Sequence, residues 1–286
     1  ITLHTNAQKI DFKDAELTNV LGEVIIRDQS INLSNLKMDS NIGRGNMTMF
    51  YTAKDYSGAS AGFDLDMEDV MVEKLIGLYP AIDTLVPMLR SFEGVVDCQV
   101  TATCKMDSTM SLELPSLHSA CYLHGENMVL LDGETFTEIS KTLMFKNKKR
   151  NVIDSISVDL AIKDNKIEVF PFLVEMDRYK VAVGGTHNLD MTFNYHLSVL
   201  KSPVPFKLGI DITGNLDDFK YKIVKCRYKD LFKPAKEAEL DSTRTNVRKE
   251  IRESIRNQIK ETAPELVSSL SPNHTVTPPE GETNAL

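Results

Sequence analysis

Histidines, cysteines and closely spaced carboxylates are the side chains of this 286-residue chain with the most chemistry to offer. A helix that binds zinc presents two imidazoles four residues apart, yet His4, His118, His124, His187, His196 and His274 are scattered with no HxxxH or HExxH spacing. Cys98, Cys104, Cys121 and Cys226 have neither zinc spacing nor a CxxC pair. Cys98 and Cys104 share a strand-like run from Val95 to Lys105, where they point the same way but lie too far apart to bond. All four read as small buried hydrophobes. Asp64 with Asp66, and Asp217 with Asp218, read as solvated charge on strands and turns. There is no GxSxG elbow, Walker loop or GxGxxG; Gly184-Gly185-Thr186 reads as a bend or a close backbone approach. The expectation is a protein that is not an enzyme and that calls for no catalytic residue, metal or cofactor.

The elements that would position these groups are mostly strands. Arg27-Asp28-Gln29-Ser30-Ile31-Asn32-Leu33 and Lys163-Asp164-Asn165-Lys166-Ile167-Glu168-Val169 repeat one another, each placing a polar turn between alternating strands. Laid together, they match Leu33 with Val169, Leu36 with Phe172 and Met38 with Val174. A repeated β unit predicts a sheet that grows by addition. Residues 1–67 read as strands, and further strands are expected over Phe92–Met106, Met110–Leu114 and, as a meander, from Ile153 to Tyr228. Between Asp69 and Leu89 the period changes, predicting two short helices ending at Pro80 and around Pro87. Thr135 with Glu138 forms a capping box for another helix carrying Phe136, Ile139 and Leu143. Between Pro234 and Pro264, Val247, Ile251, Ile255 and Ile259 recur every fourth residue beside Arg244, Arg248, Arg252, Arg256 and Lys260, which predicts an amphipathic helix.

The resulting expectation is a mainly β protein: an elongated, curved antiparallel sheet of repeated meander units, a β-groove, with a few short helices and a C-terminal amphipathic helix. The expected units are residues 1–94, with a helical segment over 69–90; 95–233; the helix over 234–270; and a tail over 271–286 too polar to fold.

A net charge of −8 and a pI near 5.4 exclude a general nucleic-acid binder, which needs a basic excess. No apolar run is long enough to span a bilayer, and the start at Ile1 has no signal-peptide pattern, so any anchor is expected outside this sequence. What remains is surface. Met191-Phe193-Tyr195-Leu197-Val199 and Phe63-Leu65-Met67 form long apolar ridges, which either pack in a β-sandwich core or form a face that adapts to varied partners. The basic turn Lys146-Asn147-Lys148-Lys149-Arg150 reads as a solvated loop or an anionic headgroup contact. The basic helix is open to three roles: capping the open end of the sheet, lying on a membrane, or docking a partner.

The segment from about Phe92 to Phe232 resembles the C-terminal region of AsmA-like proteins, the group of TamB and YhdP in the Gram-negative envelope. The resemblance is carried by Leu131-Asp132-Gly133-Glu134-Thr135-Phe136, Ile167-Glu168-Val169-Phe170-Pro171-Phe172, Met176-Asp177-Arg178-Tyr179, Gly184-Gly185, Leu189-Asp190-Met191 and Tyr195-His196-Leu197-Ser198-Val199. Val20 to Gly94 resembles another turn of the same architecture.

This resemblance implies a periplasmic protein held at the inner membrane by an anchor outside this sequence. Its apolar groove would take phospholipid or another acyl lipid toward the outer membrane and support outer-membrane assembly, with an envelope protein as possible partner. The groove residues expected on this reading are Leu65, Met67, Val181, Val183, Met191, Phe193, Tyr195 and Leu197. The residues expected at headgroups or an anionic surface are Lys148, Lys149, Arg150, Arg248, Arg252 and Arg256. The alternative is a structural or regulatory module of envelope biogenesis that carries no lipid. A glycan-binding sandwich would want exposed tryptophan, and the chain has none.

Overall fold

In the computed structural model, the described residues are 1–12, 15–55, 58–78, 92–109, 111–131, 150–176, 178–189, 192–203, 207–215 and 218–269. Alternating apolar and polar residues over runs of about ten favour strands whose two faces meet different surroundings. The strands are β1 (Thr2–Phe12), β2 (Ala15–Arg27), β3 (Ser30–Ser40), β4 (Arg44–Asp55), β5 (Gly58–Met71), β6 (Phe92–Glu93), β7 (Val95–Asp107), β8 (His118–Leu131), β9 (Arg150–Lys163), β10 (Lys166–Met176), β11 (Tyr179–Asn188), β12 (Phe193–Lys201), β13 (Leu208–Gly214) and β14 (Phe219–Val224). They form one antiparallel sheet, curved and unclosed, in which each strand pairs with the next in sequence; short β6 stands aside and pairs with β8. The sheet runs without a break through residue 94, because β5 pairs with β7 from Gly58↔Asp107 to Met71↔Val95.

The two sequence repeats are the same structure. Asp28 and Gln29 (φ 47° and 58°) and Asp164 and Asn165 (φ 53° and 58°) form two-residue turns in the left-handed region, closing Arg27 on Ser30 and Lys163 on Lys166. Two successive positive φ values match the right-handed strand twist; Asp opens both turns, and the second position is Gln29 in one copy and Asn165, the better suited to it, in the other. Each copy also carries a bulge at the same place, between Leu33 and Leu36 in β3 and between Val169 and Phe172 in β10. Asn35, at φ 48°, and Pro171 occupy the equivalent bulge positions. A bulge accepts a left-handed residue or one without an N–H.

One element departs from expectation, the strand over Met110–Leu114. Met110 lies outside the described residues, and Leu112 makes only an isolated bridge to Met106. Asp107 Oδ1 accepts from the amides of Thr109 (2.8 Å) and Ser111 (3.1 Å), and Leu114–Ser116 then form a 3₁₀ turn around Pro115. The local Asp turn and the proline displace a strand there. Of the helices expected after Asp69, α1 (Val72–Leu78) is present. The stretch around Pro87 and the helix after Thr135 lie outside the described residues, as does the tail.

Helix α2 (Pro234–Thr262) runs for 29 residues, with proline in its first turn, where the missing N–H costs nothing. It does not cap a sheet end. It lies across one face, burying Ile251, Ile255 and Ile259 together with Ile25, Phe50, Ala120, Ala263 and Leu266. A second core gathers at one end of the strands, where Val72 and Leu75 of α1 meet Ile42, Val70, Val96, Met128, Ile153 and Ile156.

Candidate functional site

Following the pairing register from strand to strand separates two faces of opposite character. One rung reads Leu36–Met47–Leu65–Val100–Cys121–Leu160–Val169–Gly185–Tyr195–Ile212–Tyr221, crossing from β3 to β14. Beside it run Leu3–Val24–Leu33–Met49–Phe63–Ala102–Ser119–Ile162–Ile167–His187–Phe193 and, from β10 onward, Phe172–Val183–Leu197–Ile210–Ile223. These rungs form an apolar trough. Leu33, Met47, Phe63, Leu65, Val183 and Leu197 are half-buried within it. At the two edges the face opens to solvent, with Leu3 at 48% and Ile223 at 59% exposure. The trough floor belongs to a single sheet, with no second sheet among the described residues. Helix α1 packs at one end, in a cluster that Met67, Leu123, Val158 and Phe172 border.

Polar groups in the trough are paired. His187 Nδ1 lies 2.9 Å from the Tyr195 hydroxyl, and burial pushes the Tyr195 pKa up to about 12, so the phenol stays neutral. Ser119 donates to the Thr101 carbonyl at 3.0 Å. The Cys121 thiol contacts Cys98, and that contact together with burial pushes its pKa well up, which keeps it uncharged.

The opposite face carries the rung Thr48–Asp64–Thr101–Ala120–Ala161–Glu168–Thr186–Asn194–Thr213–Lys220. Beside it runs Asn46–Asp66–Gln99–Tyr122–Asp159. Helix α2 covers the part of this polar face formed by β3 to β9, while Glu168, Asn194, Thr213 and Lys220 beyond it are exposed. Its arginines, four residues apart, share one stripe of the helix and reach successive strands. Arg248 Nη2 donates to Asp159 at 2.6 Å and its guanidinium sits 5.2 Å from the centre of the Tyr122 ring. Arg252 donates to Asp64 at 2.8 Å and to Asp66 at 3.2 Å. Thr262 donates to Asn32 at 2.9 Å. Burial raises the pKa of Asp64 and of Asp159, against the pull of Arg252 on the first and of Arg248 and Arg244 on the second.

Seven of the eight expected groove residues, Leu65, Met67, Val181, Val183, Phe193, Tyr195 and Leu197, share the apolar face; Met191 lies outside the described residues. The basic set divides differently. Lys148 and Lys149 lie outside the described residues, and Arg150 opens β9 opposite Leu131. Arg248 and Arg252 are not headgroup contacts, because the sheet carboxylates occupy their guanidinium groups. Arg256 stands exposed on the outer side of the helix. Asp64 and Asp66 are likewise not solvated charge but the helix's anchors.

One constellation has no motif to announce it. His196 and Ser198, two apart on β12, face Asp211 on β13: Asp211 Oδ1 lies 2.6 Å from His196 Nδ1, and His196 Nε2 lies 2.9 Å from Ser198 Oγ. The carboxylate only accepts, which assigns the imidazole proton to Nδ1. The connectivity is that of a hydrolase triad. Ser198, however, is wholly buried and accepts from the amides of Arg227 (3.1 Å) and Tyr228 (3.0 Å). Placed so, it has no approach to a substrate carbonyl; the cluster pins the turn between β14 and α2. A cleft of about 1340 Å³ also opens beside α2, between Thr52, Ser60, Lys105, His118 and Gln258.

No family model, no curated protein and no solved structure matches this chain.

Proposed function

We propose that the chain is a non-enzymatic, lipid-handling segment of an envelope protein, whose apolar trough shelters acyl chains during phospholipid transfer between membranes. The observation that carries this reading is the rung from Leu36 to Tyr221, apolar across eleven successive strands apart from Gly185 and the tyrosine hydroxyls. Ten spacings of about 4.8 Å make that path about 48 Å long. Half of a bilayer's hydrocarbon core, about 15 Å, is the depth one acyl chain fills, so the path is longer than a single tail. Each CH₂ kept from water is worth roughly 0.8 kcal/mol, so exposing a whole chain costs on the order of 10 kcal/mol. A trough whose polar groups are already paired removes most of that cost where its apolar side chains stay accessible, as at Leu33, Met47, Phe63, Leu65, Val183 and Leu197. The resemblance to AsmA-like proteins supplies the setting, a periplasmic bridge anchored at the inner membrane.

Mass spectrometry of lipid extracted from the detergent-free protein tests the reading. Phospholipid is expected in the extract, reduced at least several-fold by Leu65→Asp combined with Val183→Asp and Leu197→Asp in a protein with an unchanged circular dichroism spectrum. An extract without lipid, or equal lipid in the folded variant, rejects it.

A further inference from the structure

The seam between α2 and the sheet differs from an ordinary helix–sheet core. An amphipathic helix normally meets an apolar sheet face; α2 sets its isoleucines over Ile25, Phe50 and Ala120 but its arginines over Asp64, Gln99 and Asp159 of the same face. The described buried side-chain atoms without a hydrogen-bond partner all lie on this face or on the helix above it: Asn46 Oδ1, Thr52 Oγ1, Thr101 Oγ1, Arg244 Nε and Arg248 Nε. Arg244 Nε lies 3.7 Å from Asp159 Oδ2, near enough for attraction and too far for a hydrogen bond. Buried polar groups left unpaired, and ion pairs that lose hydration on docking, offset part of what the apolar stripe contributes to the seam.

The anchors are also spread in a telling way. From Arg244, which donates to the Pro171 carbonyl of β10, through Asp159 of β9, Tyr122 of β8, Gln99 of β7, Asp64 of β5 and Phe50 of β4, the helix reaches Asn32 of β3 at Thr262. The 18 residues from Arg244 to Thr262 rise about 27 Å, and the six strand spacings beneath them span about 29 Å. The helix therefore lies across the strands, one anchor per strand. A straight rod fixed at successive strands opposes the coiling that a single twisted sheet otherwise adopts.

We infer that α2 is a releasable brace: its docking on the polar face sets the curvature of the sheet, and with it the width of the trough on the other face. The apolar stripe and the arginine row divide the work. Ile251, Ile255 and Ile259 hold the helix down, while Arg244, Arg248 and Arg252 fix where along the sheet each turn sits. This inference concerns the shape of the protein and stands whether or not the trough carries lipid.

The test uses the full chain with Arg244→Gln, Arg248→Gln and Arg252→Gln combined, read by amide hydrogen exchange and small-angle X-ray scattering. Amides over Val247–Ile259 are expected to exchange at least tenfold faster, those of β7, β8 and β9 to keep their protection, and the distance distribution to shift. Arg252→Gln alone, which removes one anchor and keeps the isoleucine stripe, is expected to move both readouts in the same direction by less. Faster helix exchange with unchanged scattering overturns the inference, because the sheet then holds its curvature unaided. Loss of strand protection together with the helix in the single variant also overturns it, because α2 is then part of the core.

Discussion

At the scale of single residues, the polar groups decide more than their number suggests. Asp159 is buried between Arg244 and Arg248, and its pKa is already raised by lost hydration. Arg248→Met takes away its nearer partner, so the carboxylate becomes harder still to ionise in the fold. A folded-state pKa above the unfolded value gives stability that is present below the ordinary carboxylate range and lost as pH rises through the raised value. The variant is thus expected to lie close to the wild type in acid and to fall about 3 kcal/mol behind at neutral pH, as measured by urea unfolding across that range. Ser198 answers two amides at once. Ser198→Ala leaves the Tyr228 amide without that acceptor, while the Arg227 amide keeps His196 Nε2 at 3.2 Å; a loss of about 1–2 kcal/mol is expected, with faster hydrogen exchange over 225–232 and little change elsewhere. Sequence reasoning passed over this group because nothing in the order His196, Ser198, Asp211 marks it. Only the pairing of β12 with β13 puts the carboxylate beside the imidazole.

At the scale of elements, the β hairpin with a bulge is the unit that the chain uses twice. Its turn depends on two consecutive left-handed residues, which Asp and Asn tolerate and β-branched residues do not. Asn165→Val is expected to cost about 1–2 kcal/mol, seen as a lower midpoint in thermal unfolding. Helix α2 follows the opposite logic, since its local sequence is ordinary and its docking is held by few apolar anchors. Ile255 is almost fully buried against the sheet, so Ile255→Ala is expected to remove about 3 kcal/mol and to accelerate exchange along the helix before any strand opens. The fourfold spacing of isoleucine and arginine predicted this helix. What it lies on was not predicted, because periodicity describes a helix's own faces and is silent about the surface that meets them.

At the scale of the whole molecule, a single sheet has to serve two surroundings. Every strand alternates, so a rung of apolar residues on one side requires a rung of other residues on the reverse, and this protein covers the β3–β9 part of the reverse with its own helix. If the trough shelters hydrocarbon, brominated phospholipid loaded without detergent is expected to quench the intrinsic tyrosine fluorescence of the protein carrying Val183→Asp and Leu197→Asp less than that of the wild type. Equal quenching in both folded proteins counts against the trough as the contact surface.

The period-two pattern, the repeat around Asp28-Gln29 and Asp164-Asn165, and the fourfold stripe of α2 were determined by the sequence alone. Each is a local matter of backbone preference and of which neighbours share a face. Tertiary structure decided that Leu65 and Tyr195 lie on one rung, that Asp64, Asp66 and Asp159 receive arginines from nearly ninety residues or more away, and that Ser198 meets His196 and Asp211. These depend on register and on the path of α2 across the strands. Such long-range choices are fixed by the free energy of the assembled sheet, which no stretch of neighbouring residues encodes by itself.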